Sequence, residues 1–383
     1  MILVVVILWV VFAALLAWQL LRWLPAEVDK HNPLPYAIAL LPLATFVIGM
    51  LFLCCCGAAV WCEFFYGKYA QAQSQAQAGN ITQSYAYLCV SYAVLFLISL
   101  QSYMPYWIGK LRSFNGELRN QSTASSPIKI RVMTLNCRYG RANASQIIKI
   151  AEKYHINTLL LQELSESLVN NLKKLGICEI FPTSCIGAQS EHNNGGFNAI
   201  FTQYSAIETC DDSVEIEAAK VPTVTTVGTV GTVGTAGTVG TAGTDFATCA
   251  KNIRITFASA HTKSPMRSCK AWSEGICTLA KIAESRGIEE DRAYSTLTII
   301  TGDLNSTIDH PSFRSLLKAG FTDAGISLGK RLRTWPTWLK WPNLTLDHVI
   351  FCAKNCRAAA GWQQNAVVDG TDHLAYMAEI KVD

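Results

Sequence analysis

The sequence predicts an α/β domain carried behind three membrane-spanning helices, and three observations lead there. Long charge-free runs dominate the first 108 residues. From Ile128 onward, short β-branched strands alternate with amphipathic helices. Most of those strands end in a carboxylate, an amide or a histidine.

The first run, Ile2–Leu21 (ILVVVILWVVFAALLAWQLL), carries no charge and has the roughly 20 residues needed to cross a ~30 Å hydrocarbon core. A signal peptide would show a basic start and a small-residue cleavage site; neither is present, and two more apolar runs follow at Leu34–Cys62 and Ala86–Ile108. Residues 1–112 are therefore expected to form a membrane anchor with the lipid bilayer as partner. No charge lies inside the runs, so simple anchoring is expected rather than a transport pathway. The few flanking cations (Arg22, Lys30, Lys68, Lys110, Arg112, Arg119) lean toward a cytoplasmic C-terminal part.

Ser113–Pro127 is polar and rich in helix breakers, the composition of a linker. Beyond it Ile128, Ile130 and Val132 alternate with Lys129 and Arg131, a strand with one buried face. Ile147, Ile148, Ala151 and Tyr154 recur at helical spacing behind Asn143 or Ser145 as cap. Thr158–Leu161 is a second strand. Others are expected at Asn198–Phe201, Ile253–Ala258, Leu297–Thr301, Leu346–Phe351 and His373–Val382. Between them a Gly-Thr-Val/Ala tract at 221–245 has few side chains that could fill a core, and reads as a flexible surface insertion.

Composition excludes some functions. Fourteen cysteines are scattered without a CxxC pair or metal-ligand spacing, which argues against a zinc site. Six Lys/Arg and four Asp/Glu precede residue 128, leaving 26 against 24 in the domain. That near-neutral balance lacks the basic footprint of a dedicated polynucleotide binder.

The strand ends carry the chemistry. Asn136 closes the first strand, Glu163 the second, and His261 a later one. Asp303 and Asn305 follow Leu297–Thr301 through Gly302, read as the point where the chain leaves the strand. Asp347, Asp372 and His373 complete the set. One such residue would be a turn former; this many gathered along one sheet edge suggest a site. An acid beside an amide can hold and deprotonate a water. Carboxylates such as Glu163 and Asp372 suit a hard divalent cation such as Mg²⁺. An imidazole held by a carboxylate, His373 by Asp347, suits contact with phosphoryl charge.

The motifs TLNCRYGRA, LLLQE, NGGFNAIF, ASAHTKSP, TGDLNS, LDHVIF and GTDHLAY occur in that order across residues 128–383. Together they resemble the endonuclease/exonuclease/phosphatase family, metal-dependent phosphoesterases that include pancreatic deoxyribonuclease and neutral sphingomyelinases. The resemblance implies a four-layer α/β sandwich of two mixed sheets. It also implies that Glu163, Asp372 and Asn136 lie at a Mg²⁺ site, with Mn²⁺ as a substitute. Asp303 would activate the water beside Asn305, His261 and His373 would contact the phosphate, and Asp347 would hold His373. Relatives often place a proline or arginine after the final histidine, where this chain has Leu374, a departure that bears on substrate class.

Arg331, Arg333 and Lys340 interleave with Trp335, Trp338 and Trp341 just ahead of Asp347. A lipid-headgroup platform, base stacking on nucleic acid and plain loop packing all fit; Arg333 and Trp335 are the candidate substrate contacts. The expectation is a membrane-anchored Mg²⁺-dependent phosphoesterase acting on a phosphate ester, a phospholipid ahead of others. The alternatives are a nuclease and a catalytically silent membrane scaffold. The multi-pass chain is expected in the cell membrane with its domain outside, as the similar membrane-tethered bacterial members suggest.

Overall fold

The computed structural model describes residues 2–69, 72–119, 127–188, 195–229, 252–284, 295–339 and 344–383. Its N-terminal part is helical: α1 (Ile2–Leu20), α2 (Leu34–Ala39), α3 (Leu41–Tyr69), α4 (Ala72–Ser99) and α5 (Met104–Arg119). Three stretches, Ile2–Trp23, Leu41–Phe64 and Thr82–Ser102, are long and apolar enough to cross a membrane. Leu15, Ile48, Leu88 and Leu95 pack between them, and the Tyr92 hydroxyl donates to the Leu8 carbonyl at 2.8 Å.

Three boundaries differ from those expected. The second run splits at Leu40, because Pro42 lacks an N–H and sits in the first turn of a new helix. The third span ends at Ser102, where a 3₁₀ turn precedes α5 with Pro105 in its first turn. The polar stretch expected as linker from Ser113 begins as the last part of α5; residues 120–126 lie outside the described residues.

The strands of the domain are β1 (Ile128–Asn136), β2 (Thr158–Leu164), β3 (Thr183–Ile186), β4 (Phe197–Thr202), β5 (Glu208–Cys210) and β6 (Thr223–Thr229). After them come β7 (Asn252–His261), β8 (Ser295–Asp303), β9 (Thr322–Asp323), β10 (Asp347–Lys354), β11 (Ala358–Val367) and β12 (Leu374–Val382). The helices between them are α6 (Ala144–Lys153), α7 (Glu166–Lys174), α8 (Ile177–Ile180), α9 (Cys269–Thr278), α10 (Lys281–Glu284), α11 (Pro311–Lys318) and α12 (Ala324–Ser327).

The strands form two six-stranded mixed sheets, ordered β11-β12-β1-β2-β4-β3 and β5-β6-β7-β8-β10-β9. Each sheet has a single parallel pair at its centre, β1 with β2 and β7 with β8, flanked by antiparallel partners. Ile130, Val132, Leu160, Phe257, Ile299 and Val349 fill the space between the sheets. Met133, Leu135 and Leu161 on the other face of the first sheet pack under Ile147 and Leu168 of α6 and α7. Ala258, Ile300 and Ile350 do the same under Trp272 and Phe313 of α9 and α11. Three apolar layers thus separate four layers of secondary structure, the sandwich expected. Asn143 is the cap of α6, accepting from the Gln146 N–H at 3.1 Å.

The low-complexity tract is corrected in its first part. Thr223–Thr229 is not surface insertion but β6, paired with β7, and Val224 is buried between the sheets. Its β-branched threonines and valines come before glycine becomes frequent, and they suit a strand once β7 pairs with them. The tract from residue 230 lies outside the described residues.

Beneath the second sheet, His348 places Nδ1 2.9 Å from Asp323 Oδ2 and Nε2 2.9 Å from the Ser306 carbonyl. Both neighbours are acceptors, so the ring satisfies both only when doubly protonated. Burial alone would lower its proton affinity, but Asp323 outweighs burial and the value is raised. A raised folded value means a stabilising contribution that is complete below the free-imidazole value of ~6.5 and lost as pH rises through the folded one. Thermal unfolding of the detergent-solubilised chain should show wild type more stable than His348→Gln near pH ~6, with the difference shrinking as pH becomes alkaline.

Candidate active site

Strand register assembles one half of the site. In the second sheet His261 is paired with Asp303 across the parallel β7–β8 ladder, and Asp303 with Asp347 across the antiparallel β8–β10 ladder. Three neighbouring strands therefore end their polar residues side by side. Gly302 does not form the exit from the strand, since β8 continues through Asp303. Its φ is +149°, and a Cβ there would stand 1.7 Å from the Ala260 carbonyl oxygen on β7. Glycine is required by that close approach. The turn comes at Asn305, whose φ of +47° lies in the left-handed region.

The first sheet supplies the other half. Asn136 ends β1. Glu163 lies where the β2–β4 register shifts, and its φ is +52°. Such a bulge re-aims a side chain out of the pleat. Gly195 presses close behind it: a Cβ there would lie 2.9 Å from Glu163 Oε2.

Asp303 Oδ2 is the meeting point. Asn136 Nδ2 donates to it at 3.0 Å and to Glu163 Oε1 at 3.0 Å. His261 Nε2 and His373 Nε2 each stand 3.7 Å from it. The other oxygen, Oδ1, accepts from the Asn305 N–H at 2.9 Å, and Asn305 Nδ2 donates to the Thr262 carbonyl at 3.1 Å. His373 Nδ1 donates to Asp347 Oδ2 at 2.9 Å. All of these groups but Asn305 are nearly inaccessible to water.

Burial sets the charges. It raises the proton affinity of Asp303, with Asp347 adding to the effect and His373 and His261 opposing it. Burial raises Glu163 as well, against its bonds from Asn136 and Tyr139. Burial lowers His261, which favours its neutral form. Burial would also lower His373, but Asp347 and Asp303 outweigh it and push the imidazole up to about 10. His373 is thus an imidazolium held between two carboxylates.

The ligand atoms of Asp303, Asp347 and His373 lie within 4.8 Å of one another, a spacing that could hold an ion. In that trio, however, the His373–Asp347 bond is already made by a proton. Glu163 fits a metal better. It is 9% exposed, and among the described residues no lysine or arginine pairs with it. It accepts from the Asn136 amide and the Tyr139 N–H, and His261 Nε2 stands 3.7 Å from its Oε1. A carboxylate of this kind suits a hard divalent cation. The Asn136 amide oxygen, expected at the metal, instead accepts the Arg138 N–H at 2.9 Å while its nitrogen faces Glu163 and Asp303.

Two expected residues are placed differently from the rest. Asp372 is near enough to Glu163 to raise its proton affinity, but its carboxylate is engaged at the rim, accepting from Trp335 Nε1 at 3.2 Å and lying 3.5 Å from Arg138 Nε. Arg333 turns inward and donates to the carbonyls of Pro336, Thr337 and Leu339, so its guanidinium organises its own loop. Trp335 stands at the site, its ring centroid 6.5 Å from that of His373. Lys340 and Trp341 lie outside the described residues.

Sequence reading overlooked the supports. The Thr334 hydroxyl accepts from the N–H groups of Leu346 and Asp347 at 2.9 and 3.0 Å. Thr371 donates to the Asn136 carbonyl and accepts from the His373 N–H, tying β1 to the segment before β12. Separations of 12 and 235 residues leave no local pattern to find.

An acid, an amide and two imidazoles converging on one point, with hard oxygen donors beside them, define a class: a metal-assisted site for hydrolysis of a phosphate ester. The model of the Endonuclease/Exonuclease/phosphatase family matches residues 133–373. The chain belongs to that family, and is a hydrolase acting on phosphoester bonds that works with a divalent metal ion. No curated protein matches it in sequence.

Solved structures similar to it include D. rerio TDP2 complexed with a single-strand DNA product, at 16% identity and TM-score 0.44, covering 66% of this chain and 98% of that one. The human Nocturnin catalytic domain with bound sulfate is similar at 16% and 0.43, covering 67% and 94%. Beta toxin from Staphylococcus aureus, a double mutant with bound magnesium ions, is similar at 16% and 0.40, covering 66% and 99%.

Thr334→Val keeps the side-chain shape but leaves two N–H groups at the start of β10 without their acceptor. Stability should fall by about 2 kcal/mol or more in denaturant titration, and turnover should fall with it as Asp347 loses its fixed backbone.

Proposed function

We propose that this chain is a membrane-anchored, Mg²⁺-dependent phosphoesterase that hydrolyses a phospholipid phosphodiester with a directly activated water and no covalent intermediate. The observation that carries the reading is the convergence of Asn136, His261 and His373 on one oxygen of Asp303.

Each residue then has a stated task. The Asn305 N–H holds Asp303 Oδ1, which leaves Oδ2 to take a proton from the attacking water. Burial has raised the proton affinity of Asp303, the direction a base working nearer neutrality needs. His373 carries its proton on the face opposite Asp347 and presents Nε2 to the phosphoryl oxygens, where negative charge develops. His261, neutral, offers a hydrogen bond to the same phosphate. Glu163 would hold Mg²⁺, with the Asn136 amide orienting its carboxylate and Asp372 contributing from the rim. Bound there, the ion would polarise a phosphoryl oxygen and offset its charge.

Placement supports a lipid substrate. Asp309, six residues past Asp303, is ion-paired to Arg22 at the end of the first span. Six residues reach at most ~20 Å, so Asp303 lies within that distance of the residue paired to the span end. Met266 and Trp338 are 83% and 74% exposed, and Met266 adjoins Arg267, which bonds Tyr139 beside Glu163. Such side chains suit a membrane interface. The near-neutral domain gives no comparable support to polynucleotide. We read the domain as lying on the extracytoplasmic side, in keeping with its resemblance to membrane-tethered bacterial relatives; protease added to intact cells should then cleave it.

The full chain in phospholipid vesicles should release phosphorylated headgroup with Mg²⁺ and not with EDTA, and Asp303→Asn should reduce the rate by roughly 10²–10⁴-fold. Retained activity in that variant would refute the assignment. Cleavage of added DNA or RNA in preference to lipid, falling steeply with salt, would establish the nuclease reading instead.

A further inference from the structure

The loop between β8 and α11 begins one residue after Asp303, and its two ends are held by different parts of the chain. The near end is held from inside the domain. The Leu304 carbonyl accepts from Thr262 Oγ1 and Trp272 Nε1, and the Ser306 carbonyl faces His348. The far end is held by the membrane anchor. His310 accepts the Thr307 N–H on Nδ1 and donates through Nε2 to the Pro35 carbonyl at 3.0 Å. Asp309 Oδ1 accepts from Arg22 Nε at 3.1 Å and from the Ser102 hydroxyl at 2.8 Å. Asp29 Oδ2 accepts the Ser312 N–H at 3.0 Å.

These contacts sit where the first and third spans leave the membrane, and they are closed to water. Asp29 is 0% exposed, Asp309 2% and Arg22 6%. Burying charges is costly, so such pairs are poor glue and serve better to select one arrangement. The Asp29 contact also does a job the domain leaves undone. His310, the cap residue of α11, makes no side-chain cap bond, and the Asp29 carboxylate, 283 residues away in sequence, accepts from the first turn in its place. A tether would need none of this.

We infer that the anchor is a working part of the active site, with Arg22 and Asp29 as positioning residues for the loop that carries Asn305. The inference rests on the roles given above to Asp303 and Asn305. Asn305 occupies left-handed backbone, which persists only where the surroundings over-determine it. Its amide nitrogen supplies the bond that orients Asp303. With the far end released, the loop has fewer constraints on that geometry. Docking of the anchor then sets the fraction of molecules whose Asp303 is correctly aimed.

The test uses the full chain in detergent with bis(p-nitrophenyl) phosphate, a soluble diester whose access does not depend on a bilayer. Asp29→Ala and Arg22→Ala should lower kcat by about tenfold or more, the size seen when the support of a working residue is lost, with KM changed by less than about threefold. Asp29→Asn keeps an acceptor for Ser312 and should recover much of the loss, as Arg22→Lys should in part. Ser102→Ala, which removes only a hydroxyl and leaves folding intact, should lower kcat by a few-fold. Wild-type kcat in folded Asp29→Ala and Ser102→Ala proteins, whatever their melting temperatures, overturns the inference. Asp303→Asn runs alongside: if it keeps activity, the roles assigned to the site fail, whereas an inactive Asp303→Asn beside fully active anchor variants sinks only the present inference.

Discussion

The bond from the Asn136 amide to Asp303 closes the sandwich at its functional edge. It joins the end of β1 in one sheet to the end of β8 in the other. Behind it a seam of buried polar groups continues the link: Gln162 donates to the Ser259 hydroxyl, Ser259 to the Leu161 carbonyl, and Asn198 to the Lys220 carbonyl. Two sheets held only by apolar packing could slide, because hydrophobic contact is non-directional. Directional hydrogen bonds between buried groups favour one register. The site geometry depends on that register more than on any single loop.

Within that frame the site divides its charges by environment. One carboxylate, Asp347, holds an imidazolium, while the next along the sheet, Asp303, stays without a lysine or arginine partner among the described residues. A second acid–imidazole pair, Asp323 with His348, lies on the neighbouring residues. Asp347 and His348 are adjacent in sequence, and strand alternation sends them to opposite faces of the sheet. One faces the other sheet and the chemistry; the other faces α11 and braces the loop at Ser306. A single dipeptide therefore contributes to both the reaction edge and its support.

The anchor joins the same scheme. Its polar residues at the ends of the spans meet α11, and α5 meets α12 so closely that a Cβ on Gly109 would strike the Ile326 carbonyl. The N-terminal helices thus meet the domain at two places, α11 and α12.

Much was legible in the sequence because its causes are local. Charge-free runs of membrane length, period-two strands and helical spacing are set by neighbouring residues, and they located the apolar runs, many of the strands and the cap of α6 as Asn143 or Ser145. The strand-end residues were visible for the same reason: a polar group closing an apolar run stands out by itself. What the tertiary structure decided is everything that depends on partners far along the chain. Gly302 looked like an exit, but its need comes from Ala260 on another strand. Arg333 was read from its charge, whereas three nearby carbonyls claim it. Val224 lay in a tract too simple to suggest a strand, and pairing with β7 made it core. The contacts of Arg22 with Asp309 and of Asp29 with Ser312 span nearly 290 residues, and no periodicity or motif encodes a meeting at that distance. Local order follows from the chain's own covalent spacing, but the site and its supports follow from which strands and helices become neighbours.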